Sequence, residues 1–152
     1  MDALGESELK LFVDSVRRYF KVTTSQEPQI TSAYLAMEAL DAHEFNGIVS
    51  FTGNYSGHVI VSMPPRLLRE LLLLQHETDV RDENLLDAVG EIANTLAGNA
   101  RKVLGSALSI SVPVKLQGAA GIKARVRKHP FVITLNWNRQ SALVCVDMVR
   151  TH

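Results

Sequence analysis

Apolar and polar residues recur along the chain with two periods, and these periods predict its helices and strands. The helical period of about 3.6 residues runs through residues 6–20, 66–75 and 82–104. Runs typical of β-strands cover residues 30–39, 45–52, 58–63, 108–116, 131–137 and 142–149. The predicted order is therefore α-β-β-β-α-α-β-β-β. Because hairpin turns join many of the strands and two helices are grouped in the middle, we expect an α+β fold, with helices covering one face of a largely antiparallel sheet.

The longest helical segment, residues 82–104, combines an apolar arc with an unusual polar stripe. On a helical wheel at about 100° per residue, the apolar arc comprises Leu85, Leu86, Val89, Ile92, Ala93, Leu96, Ala100, Val103 and Leu104. The polar stripe comprises Asn84, Asp87, Glu91, Asn94 and Gly98, and no lysine occurs between residues 84 and 98. An ordinary solvated helix face more often pairs Glu with Lys four residues apart. The polar stripe is therefore predicted to be a functional surface.

Two glycines within the same segment support this interpretation. Gly90 and Gly98 both lie close to the polar stripe. Glycine inside a helix costs about 1 kcal/mol relative to alanine. Their presence predicts that some other group must approach the helix backbone closely.

A leucine-rich segment precedes this helix. Pro64 and Pro65 end the strand before it, and Pro65 suits the first position of a helix. Residues 66–75 are apolar nearly all round, which is typical of a helix that is covered on most sides. Two interpretations remain open, burial within one subunit and packing across a dimer interface.

The strand predicted after the central helix alternates with a period of two. This alternation places five apolar residues on one face, namely Leu108, Ile110, Val112, Val114 and Leu116. Pro113 lies within the same run and cannot donate a ladder hydrogen bond. Its presence predicts an edge strand or a β-bulge.

Size and charge narrow the class of protein. The 152 residues are the length of one domain, so we expect a single domain over residues 1–152. Sixteen basic residues balance sixteen acidic ones, and a neutral total argues against non-specific nucleic-acid binding as the main function. The N-terminus lacks the features of a signal peptide, and an apolar run such as residues 71–74 is far too short to span a bilayer. We expect a cytoplasmic protein without membrane insertion.

Several kinds of chemistry find no support in the sequence. Cys145 is the single cysteine and lies in an apolar run, so it is interpreted as a buried core thiol that forms no internal disulfide. The five histidines lack ligand spacing, and no glycine-rich nucleotide-binding motif is present, so we expect neither a metal site nor a nucleotide site. Residues 122–128 hold Lys123, Arg125, Arg127 and Lys128. We interpret this basic run as a solvated strand face, with attraction of an acidic partner or of nucleic acid as the alternative.

The spacing within the polar stripe resembles a known signature. The sequence has Asp87, then Glu91 four positions later and Asn94 three positions after that, followed by Pro113. This pattern is similar to the signature helix of the CheC/CheX/FliY family of chemotaxis phosphatases. In that family the proline usually lies a little over twenty residues after the asparagine, whereas eighteen residues intervene here. CheC-type members often carry two such helices, and this chain has one, which favours a CheX-like member.

The resemblance implies a function and a role for each residue. The family removes the phosphoryl group from the aspartate of a CheY-like response regulator. By this resemblance, Asn94 would position the attacking water, and Glu91 would pair with an active-site lysine of the regulator. Asp87, Gly98 and Asn84 would contact the partner. The protein would need no cofactor of its own, because the regulator supplies the Mg²⁺.

The resemblance also implies an assembly and leaves alternatives open. Homodimerisation is expected, through sheet edges or through the leucine-rich segment at residues 66–75. One alternative function is a non-catalytic module that binds a response regulator or a flagellar-motor component. A second alternative is a structural dimerisation domain in which the motif is accidental.

Overall fold

The computed structural model of the protein describes residues 2–36, 41–118, 122 and 130–151, which form three helices and eight strands. The helices are α1 (Glu6–Thr24), α2 (Pro65–Leu74) and α3 (Asp82–Leu104). The strands are β1 (Asp2–Ala3), β2 (Gln29–Leu35), β3 (Phe45–Gly53), β4 (Tyr55–Met63), β5 (Leu108–Ile110), β6 (Val114–Gln117), β7 (Phe131–Trp137) and β8 (Gln140–Arg150). The end of the strand predicted at 30–39 and the basic run at 123–128 fall outside the described residues.

The strands form one sheet in which every described pair is antiparallel. Its order is β2-β7-β8-β4-β3-β5, while β6 also pairs with β3 and the short β1 pairs with the end of β8. Asn138 and Arg139 join β7 to β8 with positive φ angles of 50° and 62°, as a tight hairpin turn with the right twist requires. The α+β class predicted from the periodicity is confirmed.

All three helices pack on one face of this sheet. Their buried side chains and the inward side chains of the strands form the main core. The largest contributors include Phe12, Phe20, Phe45, Phe51, Leu67, Leu85 and Leu96. Full burial of such a side chain stabilises the folded state by about 1.5–3 kcal/mol. This core therefore fixes α3 on the sheet and leaves the opposite side of α3 free.

A smaller apolar cluster covers the middle of the other face. It includes Ile48, Ile60, Val132 and Cys145, with the described residue Ile122 packed among them. Burial raises the pKa of the Cys145 thiol to about 12, and the nearby Asp147 carboxylate adds to this increase. Cys145 is therefore a protonated core thiol at neutral pH, as predicted.

The strand predicted at 108–116 differs from the structure in a way that matters for function. It is two strands, β5 and β6, both paired with β3 and separated by residues 111–113. Leu108 and Ile110 pack into the main core, whereas Leu116 packs against the cluster on the opposite face. The alternation therefore changes face at the break, and the prediction of one shared apolar face was wrong. The edge position predicted from Pro113 is confirmed.

Ser111 explains how the ladder continues across the break. Its backbone N–H donates to the Ser50 carbonyl oxygen at 3.0 Å. The Ser50 N–H in turn donates to the Ser111 hydroxyl at 2.9 Å. A side-chain oxygen thus replaces a backbone partner in the ladder, so the change of face leaves the Ser50 N–H satisfied.

The segments predicted as helices at residues 66–75 and 82–104 are helices with nearly the expected bounds. α3 spans the predicted residues, although Val103, assigned to its apolar arc, is 68% exposed. In α2, the side chains of Leu67, Leu68 and Leu71 are buried. Leu73 and Leu74 at its end remain more than half exposed. Burial within one subunit therefore accounts for one side of α2. Among the described helices, none combines the length and apolar character needed to cross a membrane.

Candidate functional site

The polar stripe of α3 points away from the sheet. Asp87, Glu91 and Asn94 are exposed, while their neighbours Val89, Ile92 and Ala93 are buried. This follows from the helical period, because residues three and four apart share a face. The three residues of the motif therefore stand side by side on the outer surface.

A close contact between backbones fixes the height of α3 above the sheet. Gly47 of β3 lies under the helix, and a Cβ atom at this position would be 2.4 Å from the Val89 carbonyl oxygen and 3.0 Å from the Gly90 Cα. Such distances exclude any side chain at Gly47 while the helix keeps its place. The close approach of α3 at Gly90, the residue before Glu91, therefore requires a glycine at position 47.

The chain returns along α3 in the opposite direction after the helix ends. At one end, the Arg101 Nε donates to the Leu108 carbonyl oxygen of β5 at 2.9 Å. At the other end, the Gln117 Nε2 of β6 donates to an Asp82 carboxylate oxygen at 3.2 Å. The β5–β6 segment therefore forms a wall beside the polar stripe over nearly the whole length of the helix.

A cleft of about 330 Å³ lies between this wall and α3. It is lined by Asp87, Gly90, Glu91 and Asn94 of the helix, and by Val112, Pro113 and Lys115 of the wall. The four residues of the sequence signature thus line one cleft, although Pro113 is distant from the others in the chain.

Glu91 and Asn94 have unused polar atoms in this cleft. Neither the Glu91 carboxylate nor the Asn94 amide forms a side-chain hydrogen bond or an ion pair with any residue in the described part of the chain. The negative charge of Glu91 nevertheless acts on its surroundings. Burial raises the pKa of the Tyr19 phenol on α1, and the charge of Glu91 raises it further. Both motif side chains are therefore available to an external group.

Lys115 is a site residue that the sequence did not reveal. Its Nζ lies 2.6 Å from Asp87 Oδ1, in an ion pair between two partly exposed side chains. Its aliphatic stem crosses Gly90, where an added Cβ would be 2.9 Å from the Lys115 Cγ. The polar stripe has no lysine of its own, but the fold supplies one from β6. The close approach predicted at Gly90 is made by the chain itself.

The other two stripe residues lie outside the cleft. The Asn84 Nδ2 donates to the Asp79 carbonyl oxygen at 3.0 Å, which ties the start of α3 to the preceding loop. Apart from its chain neighbours and the adjacent helix backbone, no atom of a described residue lies within 4 Å of a Cβ placed on Gly98. Gly98 instead borders a second, more open cleft with Arg101 and Lys102. Asn84 thus has a local structural role, and the space above Gly98 is open.

Metal-binding side chains do not cluster in the part of the chain that the structure describes. Within residues 2–36, 41–118, 122 and 130–151, no group of three or more His, Cys, Asp or Glu side chains has a geometry suited to an ion. The polar side chains that line the cleft are those of Asp87, Glu91, Asn94 and Lys115.

Several solved structures share this fold. A CheC-like superfamily protein from Shewanella sp. PV-4 matches with a TM-score of 0.79 and 17% identity, over 96% of this chain and 99% of that chain. The chemotaxis protein CheX from Vibrio vulnificus matches with a TM-score of 0.78 and 17% identity, over 94% and 99%. The CheX–CheY–BeF₃–Mg²⁺ complex from Borrelia burgdorferi matches with a TM-score of 0.73 and 18% identity, over 93% and 97%. These likenesses show a common fold.

The sequence itself was also compared with curated proteins and with models of protein families. No curated protein matches the chain. The family model described as chemotaxis phosphatase CheX matches residues 45–136, which include α3, Pro113 and most of the sheet. Since this match spans more than half of the 152 residues, the chain belongs to the CheX family of chemotaxis phosphatases.

Proposed function

We propose that the protein accelerates hydrolysis of the phosphoaspartate of a CheY-like response regulator. The observation that carries this proposal is that Glu91 and Asn94 lie side by side in an open cleft, with no side-chain partner among the described residues. A surface that binds a partner's active site must leave its reactive groups free in this way. The match to the CheX family supports the reaction class.

Asn94 is assigned the role of positioning water. A side-chain amide offers one acceptor oxygen and two donor hydrogens. The oxygen can accept a hydrogen bond from a water molecule while the NH₂ group donates hydrogen bonds to the phosphoryl oxygens. Phosphoryl transfer needs an in-line nucleophile and stabilisation of charge more than covalent help from the protein. An exposed amide held on a rigid helix can meet this need.

Glu91 is assigned the role of binding a lysine in the active site of the regulator. A carboxylate and an ammonium group form a charge-assisted hydrogen bond, which is roughly twice as strong as one between neutral groups. One helical turn of separation lets Glu91 hold the partner while Asn94 reaches the phosphorus. Asp87 and Gly98 are proposed to lie at the rim of this contact, and Asn84 to support it from the start of α3.

The partner is proposed to bring the metal. The regulator would supply both the phosphoaspartate and the Mg²⁺, and the present chain would supply no cofactor. The structural neighbour from Borrelia burgdorferi was solved as a complex with CheY, BeF₃ and Mg²⁺, which supports a partner of this kind. A cytoplasmic location belongs to the same proposal, because the response regulator is expected there.

Homodimerisation remains a prediction, and two surfaces suit it. Among the described strands, β2 is the last of the sheet on its side, and its Tyr34 and Leu35 are 45% and 60% exposed. An edge strand of this kind offers unpaired backbone groups to another chain. The exposed Leu73 and Leu74 at the end of α2 form the other surface.

The proposed function is tested by the decay of a phosphorylated response regulator from the same cell, in excess Mg²⁺, with and without this protein. We expect phosphate release to become at least about tenfold faster, which corresponds to about 1.4 kcal/mol in the barrier. Binding of the beryllofluoride-loaded regulator without faster decay would overturn the proposal in favour of a non-catalytic binding module. No binding by any regulator of the cell would also overturn it and would leave a structural role.

Replacement of Glu91 by glutamine should weaken binding of the regulator. The amide keeps the shape of the side chain but removes the charge that would pair with the partner's lysine. We expect KM to rise by at least about tenfold, the lower end of the range for a hydrogen bond to a charged group. Glu83→Gln provides the matched control, because Glu83 is exposed on the same helix outside the cleft. Equal KM values for the two variants would remove Glu91 from the interface.

A further inference from the structure

The Asp87–Lys115 ion pair lies inside the cleft and has no role in the proposed chemistry. Lys115 lines the same cleft as Glu91 and Asn94. Its ammonium group contacts Asp87, which stands one helical turn before Glu91. A positive charge beside Glu91 would compete directly with the lysine of a partner. The position of this charge therefore bears on whether Glu91 is available.

The pairing register explains how Lys115 enters the cleft. Lys115 stands opposite Gly47 in the β3–β6 ladder, and Gly47 faces α3. Residues opposite each other in a ladder point to the same face, so the Lys115 side chain is directed towards the helix. The change of face at residues 111–113 is what gives β6 this orientation. A register shifted by one residue would turn Lys115 to the other face.

Two carboxylates, those of Asp87 and Glu91, line the same cleft as Lys115. Side chains four residues apart on a helix have Cβ atoms about 5–6 Å from each other, so Asp87 and Glu91 are close neighbours. The Lys115 stem rests on Gly90, between them in sequence. Because this stem has four flexible carbons, rotation about its bonds can redirect the ammonium group from Asp87 towards Glu91.

We infer that Asp87 is a positioning residue that holds the ammonium group of Lys115 away from Glu91. With Lys115 paired to Asp87, the Glu91 carboxylate stays free to bind a cation of the partner. Without Asp87, Lys115 pairs with Glu91 and blocks it from within the protein. This inference rests on the proposed function, in which Glu91 binds a lysine of a response regulator.

Three variants separate this role from a purely structural one. Asp87→Asn should raise KM by about two- to fivefold, the range that an exposed ion pair allows, with kcat nearly unchanged. Lys115→Met keeps an apolar stem over Gly90 and should leave KM at or below the wild-type value. The double variant should behave like Lys115→Met, so removal of the lysine rescues the loss of Asp87. Asp14→Asn serves as the control, because Asp14 belongs to an exposed pair on α1.

A readout in the free protein keeps the inference separate from the proposed function. The ¹³C resonance of the Glu91 side-chain carboxyl should shift in Asp87→Asn and return to its original position in the double variant. This result is expected even if no regulator is dephosphorylated. An unchanged resonance in Asp87→Asn, or equal loss of activity in all three variants without rescue, would overturn the inference.

Discussion

Replacement of Asn94 by alanine should abolish most of the turnover while leaving the complex with the regulator intact. The variant loses both the acceptor for the attacking water and the donors for the phosphoryl oxygens. Loss of one preorganised polar group of this kind lowers kcat by about 10²–10³-fold. We expect a kcat at least about a hundredfold lower, measured as phosphate release under single-turnover conditions with the protein in excess.

The structure excludes unfolding as the reason for such a loss. Asn94 is exposed and makes no side-chain hydrogen bond with any described residue, and alanine is the better helix former. The melting temperature should stay the same or rise slightly. The affinity for the beryllofluoride-loaded regulator should change by less than about twofold, since Glu91 remains. Asn99→Ala is the matched control, because Asn99 lies on α3 but outside the cleft. Unchanged turnover in Asn94→Ala would contradict the assignment.

Replacement of Gly47 by alanine should disturb both stability and function. The new methyl group would lie 2.4 Å from the Val89 carbonyl oxygen and 2.8 Å from its carbon. Backbone atoms of a buried helix cannot move aside as a flexible side chain can, so α3 must be displaced as a unit. Overpacking of a core costs about 1–3 kcal/mol. In a domain of this size each kcal/mol lowers the melting temperature by about 2–4 °C.

Gly98→Ala gives the opposite expectation and serves as the control. Among the described residues, a Cβ at Gly98 meets no atom within 4 Å beyond its chain neighbours and the adjacent helix backbone, and alanine favours a helix by up to about 1 kcal/mol over glycine. Thermal denaturation should therefore show Gly47→Ala less stable and Gly98→Ala more stable than the wild type. Displacement of α3 should also lower phosphatase activity in the surviving folded fraction of Gly47→Ala. Equal stability of the two variants would contradict the tight seating of the helix.

The sequence predicted the parts of the site that lie within one regular element. The helical period alone placed Asp87, Glu91 and Asn94 on one face of α3, and the structure places them there. It also predicted that a group approaches Gly90, because glycine within a helix has a cost. These inferences needed no knowledge of which element packs beside the helix.

The rest of the site depends on contacts between elements, which periodicity cannot supply. Lys115 lies between apolar residues in an alternating run, and strict alternation would place it on the face opposite theirs. The irregular residues 111–113 reverse this orientation, and such a break follows from the pairing of Ser111 with Ser50. The two-residue strand β1 was missed, because it forms only by pairing with the end of β8. The Asn84 hydrogen bond to the preceding loop has no signal in the sequence.

The antiparallel return of β5–β6 along α3 also explains the short interval between Asn94 and Pro113. From Asn94 to Leu104 the chain travels outward ten residues along the helix, about 15 Å at 1.5 Å per residue. From Leu108 to Pro113 it travels back five residues, about 17 Å at about 3.3 Å per residue. The outward and return distances nearly cancel, so the proline ends opposite the asparagine.

The position of the proline opposite the asparagine therefore depends on the difference between the length of the path out along α3 and the length of the path back along β5. The number of residues in each path can vary as long as this difference is kept. One additional helical turn adds about 5.4 Å outward, and between one and two additional strand residues recover it. A chain with about five more residues in this interval would hold its proline in the same position. Insertions that respect this ratio should leave the cleft intact, whereas an insertion in the strand alone would slide the wall along the helix.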